Sequence, residues 1–515
     1  MSSPWTALLP AATVGTDRHA APLPTWPGDI GEAIQQAAAA APDPATALLR
    51  TVAVLAGCGL AGAQGSAAPA ELPAPAANET LPAPGPGLVF DALRQALADG
   101  PARLQHEACL ILAQAGLRLP ELLLPQALEL GRRSVALRAP LLPALGQRGL
   151  WLAAQREDWA YAAGATNNDD ADAQWAEGTL DQRRAWLART RAADPGAGRE
   201  RLQAALPELP ARERAELAGA LVTGLSLADE PLLETLRTDR SKEARQAALQ
   251  LLLRLPDAAH PRRATERLAP LLTLERGLLL RKRWQVEAPA AAGSDWKADQ
   301  VDAARPKHES LGERAWWLYQ LVRQVPLAWW SAHTGMTAAE LLSWAAGTDW
   351  TEALVRGWAD VLFAAPDNAW CDALLDRWPP TLREDPARVL GLLPHTARDR
   401  HLMAYARNGS QPLATVLTHA LNACPPGQAL SAELSTLLVR TLHEKARNGA
   451  LNTDYGLRGL LADFACVAHT GSFGALADIP RRADETPTCA EALALVERTV
   501  AARRTLHTLI PPRTP

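Results

Sequence analysis

The sequence predicts an all-α protein: a HEAT-like helical-repeat solenoid with a small irregular insertion and a further helical lobe at its C-terminal end. Three observations predict it. Residues 226–256, SLADEPLLETLRTDRSKEARQAALQLLLRLP, read as two short amphipathic helices joined by a tight polar turn. Helix starts recur at Asp194, Asp229 and His260, about 30–35 residues apart, which is the period of helix-pair repeats. Ala and Leu dominate a hydrophobic content of 48%, while β-branched runs and aromatics other than Trp are scarce, so strands are few.

In chain order, residues 1–60 are N-terminal helices, with two of them over 29–60 following Pro22, Pro24 and Pro27. Residues 61–87, AGAQGSAAPAELPAPAANETLPAPGPG, are too rich in Pro, Ala and Gly to sustain a packed helix and read as a linker or surface loop. Residues 88–284 are helical repeats. They are broken early by Pro101, Pro120 and Pro140, interrupted by a polar loop from Thr166 to Asp172, and clearest over 180–283.

Within that stretch the caps are local and legible. Thr179 and Gln182 form a T-x-x-Q capping box for the helix carrying Trp186 and Leu187. Asp194-Pro195 opens a helix through Leu206, and Ala211 to Leu225 follows with Leu217, Ala218, Leu221 and Val222 at helical spacing. Asp229 is expected to cap the next helix, with Glu230 and Pro231 in its first turn. Ser241 is expected to cap its partner, in which Ala244, Ala248, Leu251 and Leu255 make one stripe. Leu249 and Leu253 lie on the opposite side, among Lys242, Arg245 and Gln246. A helix apolar on two sides must be covered on two sides, as stacking provides.

Residues 285–310 break the helical rhythm and are expected to form an irregular insertion with one or two short strands. Residues 311–379 are a Trp-rich helical region, and Gly312–Trp378 alone holds nine of the seventeen Trp. Residues 380–515 are a C-terminal helical lobe.

A formal charge of −4 and a pI near 6.3 argue against general binding to nucleic acid or membranes. The start, MSSPWTALLP, lacks the charged and apolar regions of a signal peptide, and no apolar run is expected to reach the roughly 18 residues of a membrane span. The six cysteines show no CxxC spacing and read as reduced thiols of a cytoplasmic protein. Gly57-Cys58-Gly59-Leu60-Ala61-Gly62 fits G-x-G-x-x-G, but a dinucleotide site needs a helix directly after the glycines. The Pro/Ala segment follows instead, so the reading is a helix from about Thr46 to Cys58 with a glycine cap. No HExxH, Walker A loop or GxSxG elbow occurs, and no catalytic, cofactor-binding or metal-binding residue is assigned.

Two groups are candidates for partner binding. From Arg237 to Arg283 twelve Lys/Arg face five acids, and Lys242, Arg245 and Arg254 could stack with Arg262 and Arg263 into a ridge for an acidic partner. The alternative is a solvated face. Trp316-Trp317 and Trp329-Trp330 would suit a protein-binding hot spot if exposed, and are core if buried.

Trp5 to Arg18 (WTALLPAATVGTDR), Leu145 to Ala153 (LGQRGLWLA), the 229–256 segment and Leu311 to Trp330 (LGERAWWLYQLVRQVPLAWW) together resemble an uncharacterised bacterial family of helical proteins of about 500 residues with HEAT-like repeats. The resemblance runs from residue 5 to about 330 and is weaker beyond. Members tend to be encoded near MoxR-type AAA+ ATPases, von Willebrand factor A proteins and SWIM zinc-finger proteins. The resemblance implies an adaptor in an ATPase-linked assembly, with a MoxR-type ATPase or von Willebrand factor A protein as partner, and supplies no catalytic residue. The expected function is therefore a non-catalytic scaffold for protein–protein interaction. The alternatives are a nucleic-acid-binding helical-repeat protein, like the helical-repeat DNA glycosylases, using the basic ridge 237–283, and an unrecognised hydrolase with convergent acids and His.

Overall fold

The computed structural model describes residues 4–18, 25–62, 73–162, 175–176, 178–276, 282–293, 296–409 and 411–510. The protein is all-α, with one two-stranded sheet among the described residues. It divides into two compact units, Met1–Pro75 and Ala76–Pro515.

The first unit holds α1 (Pro4–Val14), α2 (Gly28–Ala39) and α3 (Pro44–Ala61). Asp43 caps α3 by accepting from the Thr46 amide at 2.8 Å, with Pro44 in the first turn where no N–H is needed. Leu8, Ile34, Leu48 and Leu55 form its small core. The expected glycine stop after Cys58 is corrected: α3 runs through Gly57 and Gly59, and Gly62 closes it. The expectation about apolar length is corrected as well. Pro44–Ala61, with Arg50 its one charged residue, is long and apolar enough to cross a membrane by length and composition.

The second unit opens with an extended segment, residues 76–87, that is tied down along its length. The Glu79 carboxylate accepts from the backbone amides of Gln147 and Arg148 at 2.8 and 3.0 Å, at the start of a helix where unpaired N–H groups point outward. Arg118 donates through its amide to Pro82 O and through Nε to Leu81 O. The helices that receive this strap are α4 (Leu88–Asp99), α5 (Ala102–Gln114), α6 (Leu124–Arg133), α7 (Val135–Leu141) and α8 (Gly146–Ala154).

Next come α9 (Leu180–Ala193), α10 (Pro195–Ala205), α11 (Ala211–Gly219), α12 (Glu230–Arg237), α13 (Lys242–Leu252) and α14 (Ala259–Leu268). The Thr179/Gln182 capping box forms, and Asp194 and Ser241 cap α10 and α13. Asp229 does otherwise. Ser226 begins a 3-10 turn into which Asp229 folds back, accepting from the Ser226 amide. Its fully buried carboxylate holds the fully buried Arg191 guanidinium at 2.9 Å, and this ion pair rather than a cap is its role.

The expected strands begin before 285–310, and only the last two residues of the second fall within it. β1 (Leu272–Arg276) and β2 (Lys282–Val286) pair antiparallel with Leu274 opposite Trp284. After them follow α15 (Glu313–Val322), α16 (Leu327–Thr334), α17 (Ala338–Ala345), α18 (Thr351–Ala364) and α19 (Asn368–Asp376). The C-terminal helices are α20 (Pro386–Leu390), α21 (His395–Asn408), α22 (Leu413–Ala423), α23 (Ala432–Arg447), α24 (Tyr455–Val467), α25 (Phe473–Ala477) and α26 (Pro487–His507).

Alternate helices pack on one another: α9 on α11, α11 on α13, then α20 on α22, α22 on α24 and α24 on α26, with α21 on α23 in a second layer. The row does not end with the chain. α26 packs on α4 and α5, and α4 on α6, so the first helices of this unit extend the row beyond its last helix. Cys466, Ala502 and Leu506 complete the core of α4–α8. Bidentate pairing of Arg503 with Glu107, both contacts at 2.7 Å, and donation from Arg103 to the Leu421 and Cys424 carbonyls lock this junction.

Candidate functional site

A cavity of about 1100 Å³ lies where α13 meets the Trp-rich helices. One wall is the second side of α13, whose apolar stripe (Ala244, Ala248, Leu251) is already buried against α11 and α12. Two rows at i, i+4, i+8 spacing face the cavity from α13: Lys242, Gln246 and Gln250, and beside them Arg245, Leu249 and Leu253. α15 and α18 bring the other wall, with Trp316, Gln320, Gln324, Asp360 and Phe363. Six Lys/Arg and three Asp side chains line it, so the surplus is cationic.

Behind the lining residues Arg237 and His260 lies Asp299, which is almost fully buried. Its carboxylate receives Arg237 at 3.0 Å, Arg263 at 3.2 Å, Arg267 at 2.5 Å and His260 at 3.4 Å. Burial works against its ionisation, but the hydrogen bonds from His260, Arg267 and Arg263 prevail and hold the carboxyl well below the usual range. The next residue, Gln300, has φ 57°, the one left-handed non-glycine among the described residues. That conformation costs on the order of 1 kcal/mol. It is held by donation from Gln300 Nε2 to Arg237 O and from Gln324 Nε2 to Asp299 O.

Three buried polar atoms of the cavity wall have no protein partner: Trp316 Nε1, His260 Nε2 and Gln324 Oε1. Its aromatic faces are covered. Arg388 lies 4.0 Å over the Phe363 ring, and Trp316 is buried against Tyr319.

The predicted ridge does not form as one surface. Lys242 and Arg245 reach the cavity, but Arg245 is anchored to the Asp239 and Arg240 carbonyls. Arg254 donates to Ala364 O at 2.6 Å, tying the end of α13 to α18. Arg263 is spent on Glu234 and Asp299, and Arg262 is exposed away from the cavity lining. The Trp hot spot is corrected too. Trp316, Trp317 and Trp330 are buried, with Trp317 Nε1 donating to Ala303 O and Trp330 edge-on between Trp329 and Trp358. Trp329 is half-buried, stacked on His333. Large rings supply this region's core, where their area counts most.

A second cavity of about 590 Å³ borders the junction of α5 with α24 and α26. Its Glu107 accepts from His507 and Arg503, and those bonds outweigh burial to hold the carboxyl below its ordinary range. Its Cys466 thiol is pushed up to about 12 by burial, as is Cys109 elsewhere, and neither supplies a thiolate at neutral pH. Among the described residues no group of three His, Cys, Asp or Glu is placed to hold a metal ion.

Residues 7–510 match the family DUF5691, a family of unknown function, over nearly the whole chain. The chain belongs to DUF5691. No curated protein and no solved structure matches this DUF5691 protein. The cavity residues that sequence reading missed include Gln246, Gln250 and Gln300; the two on α13 carried one signal, its polar second side, which had no assigned cover.

Proposed function

We propose that this DUF5691 protein is a non-catalytic helical-repeat scaffold that binds another protein, with the cavity between α13 and the α15/α18 wall as the contact. The observation that carries this reading is a large groove with a cationic surplus, lined mostly from α13, α15 and α18 and their ends. The alternate-helix packing supports a HEAT-like repeat. Covered aromatic faces leave no stacking platform for bases, and three carboxylates in the wall disfavour a phosphate backbone, so a protein suits the groove better than nucleic acid. The family resemblance directs the search to a MoxR-type AAA+ ATPase or a von Willebrand factor A protein. Six cysteines without disulfides support a cytoplasmic setting.

Lys242 and Lys297 are exposed, line the groove and make no ion pair among the described residues, so reversing them leaves the frame intact. Tagged protein recovered from its native cell should retain a discrete partner that the K242E/K297E variant loses, with an unchanged Tm. Equal recovery by both proteins rejects the groove as the contact.

A further inference from the structure

We infer that the Lys242–Gln246–Gln250 row of α13 is a ruler for an extended acidic peptide. This rests on the protein-binding reading and specifies its ligand. Successive members of the row are four residues apart, a rise of about 6 Å along the helix axis. An extended chain repeats its same-face groups every two residues, about 6.6–6.8 Å. The Gln246 and Gln250 amides can therefore meet peptide groups of alternate residues, each offering a donor and an acceptor. Lys242, one step further along, then takes a carboxylate, and Lys297 on the Trp296–Asp299 turn takes another. All four side chains are exposed and make no hydrogen bond or ion pair among the described residues. The neighbouring Gln320 shows the same chemistry already used within the chain: its amide accepts from the Asp302 backbone amide at 2.8 Å and donates to the Asp302 carbonyl at 2.9 Å.

A mixed donor–acceptor lining fits a peptide main chain. An amphipathic helix would need a continuous apolar floor, and the cavity face of α13 offers only the half-buried Leu249 between polar neighbours and the buried Leu253.

The test is selection of a random twelve-residue peptide library displayed on phage against the full-length protein, followed by binding of the enriched peptides to variants. Enriched sequences should carry Asp or Glu at alternate positions. The best peptide should bind Q246A/Q250A about tenfold or more weakly, as expected for two lost amide pairings. K242E/K297E should bind it more weakly at low salt, with the salt dependence abolished or reversed. No enrichment, enrichment of apolar or basic peptides, or unchanged affinity for Q246A/Q250A overturns the inference. If that happens while the native partner is still lost from K242E/K297E, the ruler fails and the wider reading stands. If both variants bind as the parent does, both fail.

Discussion

Replacing Asp229 by Asn tests how α9, α10 and α12 are held together. Arg191 is completely buried and donates to both Asp229 oxygens, at 3.1 and 2.9 Å, and to the carbonyls of Pro195, Leu221, Thr223 and Gly224. Those contacts join α9, the start of α10 and the turn before α12, so one guanidinium sets the geometry of three helices. The Asn side chain is isosteric, but it removes the negative charge and presents two donors toward a cation. Leaving a buried charge uncompensated costs about 3–5 kcal/mol. In a protein of this size unfolding is not a single two-state step. The appropriate assay is therefore hydrogen exchange resolved by peptide, with the denaturant midpoint beside it. Protection over residues 180–237 should fall by the equivalent of about 3 kcal/mol or more, while α20–α24 stay as protected as before. R191M/D229L, which removes both charges, should recover much of the loss. Loss below about 1 kcal/mol in D229N, or equal loss at distant helices, refutes the argument.

Glu107→Gln should loosen the junction of the first and last helices by roughly 2–4 kcal/mol, less than a fully dry pair because a cavity borders it. Exchange at α4 and α26 reports it. Gly146 has φ +65° and an added Cβ would lie 2.6 Å from Glu79 Oε2 and from Arg118 Cδ. G146A should therefore expel Glu79, and limited proteolysis should cut within residues 76–87 faster than in the parent. For Asp299 the folded carboxyl lies below its unfolded value of about 3.9. Its contribution is then fully present above that pH and lost as pH falls through the folded value. The Tm gap between the parent and D299N should be constant from pH 7 to about 5 and narrow below about 4. A gap that widens in acid contradicts the assignment.

How legible this fold was depends on how far apart the interacting residues stand. Thr179, Asp194 and Ser241 act on amides three residues away, and composition and spacing reveal such caps. Asp229 has the same residue type at the same kind of position, yet its partner Arg191 lies 38 residues upstream, and nothing local distinguishes a cap from a buried counter-ion. The closure through Glu107 and Arg503 joins residues 396 apart in sequence and leaves no periodic trace. The hairpin at 272–286 was hidden by Arg283 and its neighbours, which read as part of a basic ridge although Leu272 and Val286 pair across the strands. Trp-rich spacing is compatible with both core and hot spot, because area favours either use. The second side of α13 was visible in the sequence, but what it faces was set by helices 60 to 110 residues further on, among them α18, whose last residue receives Arg254.

The central claim is that the polar groove beside α13 holds a partner protein. A photo-cross-linking amino acid placed at position 246, and as a control at the exposed position 262, tests it in the native cell. Position 246 should give one discrete adduct and position 262 none. Adducts of equal yield at both positions, or none at 246, would contradict it.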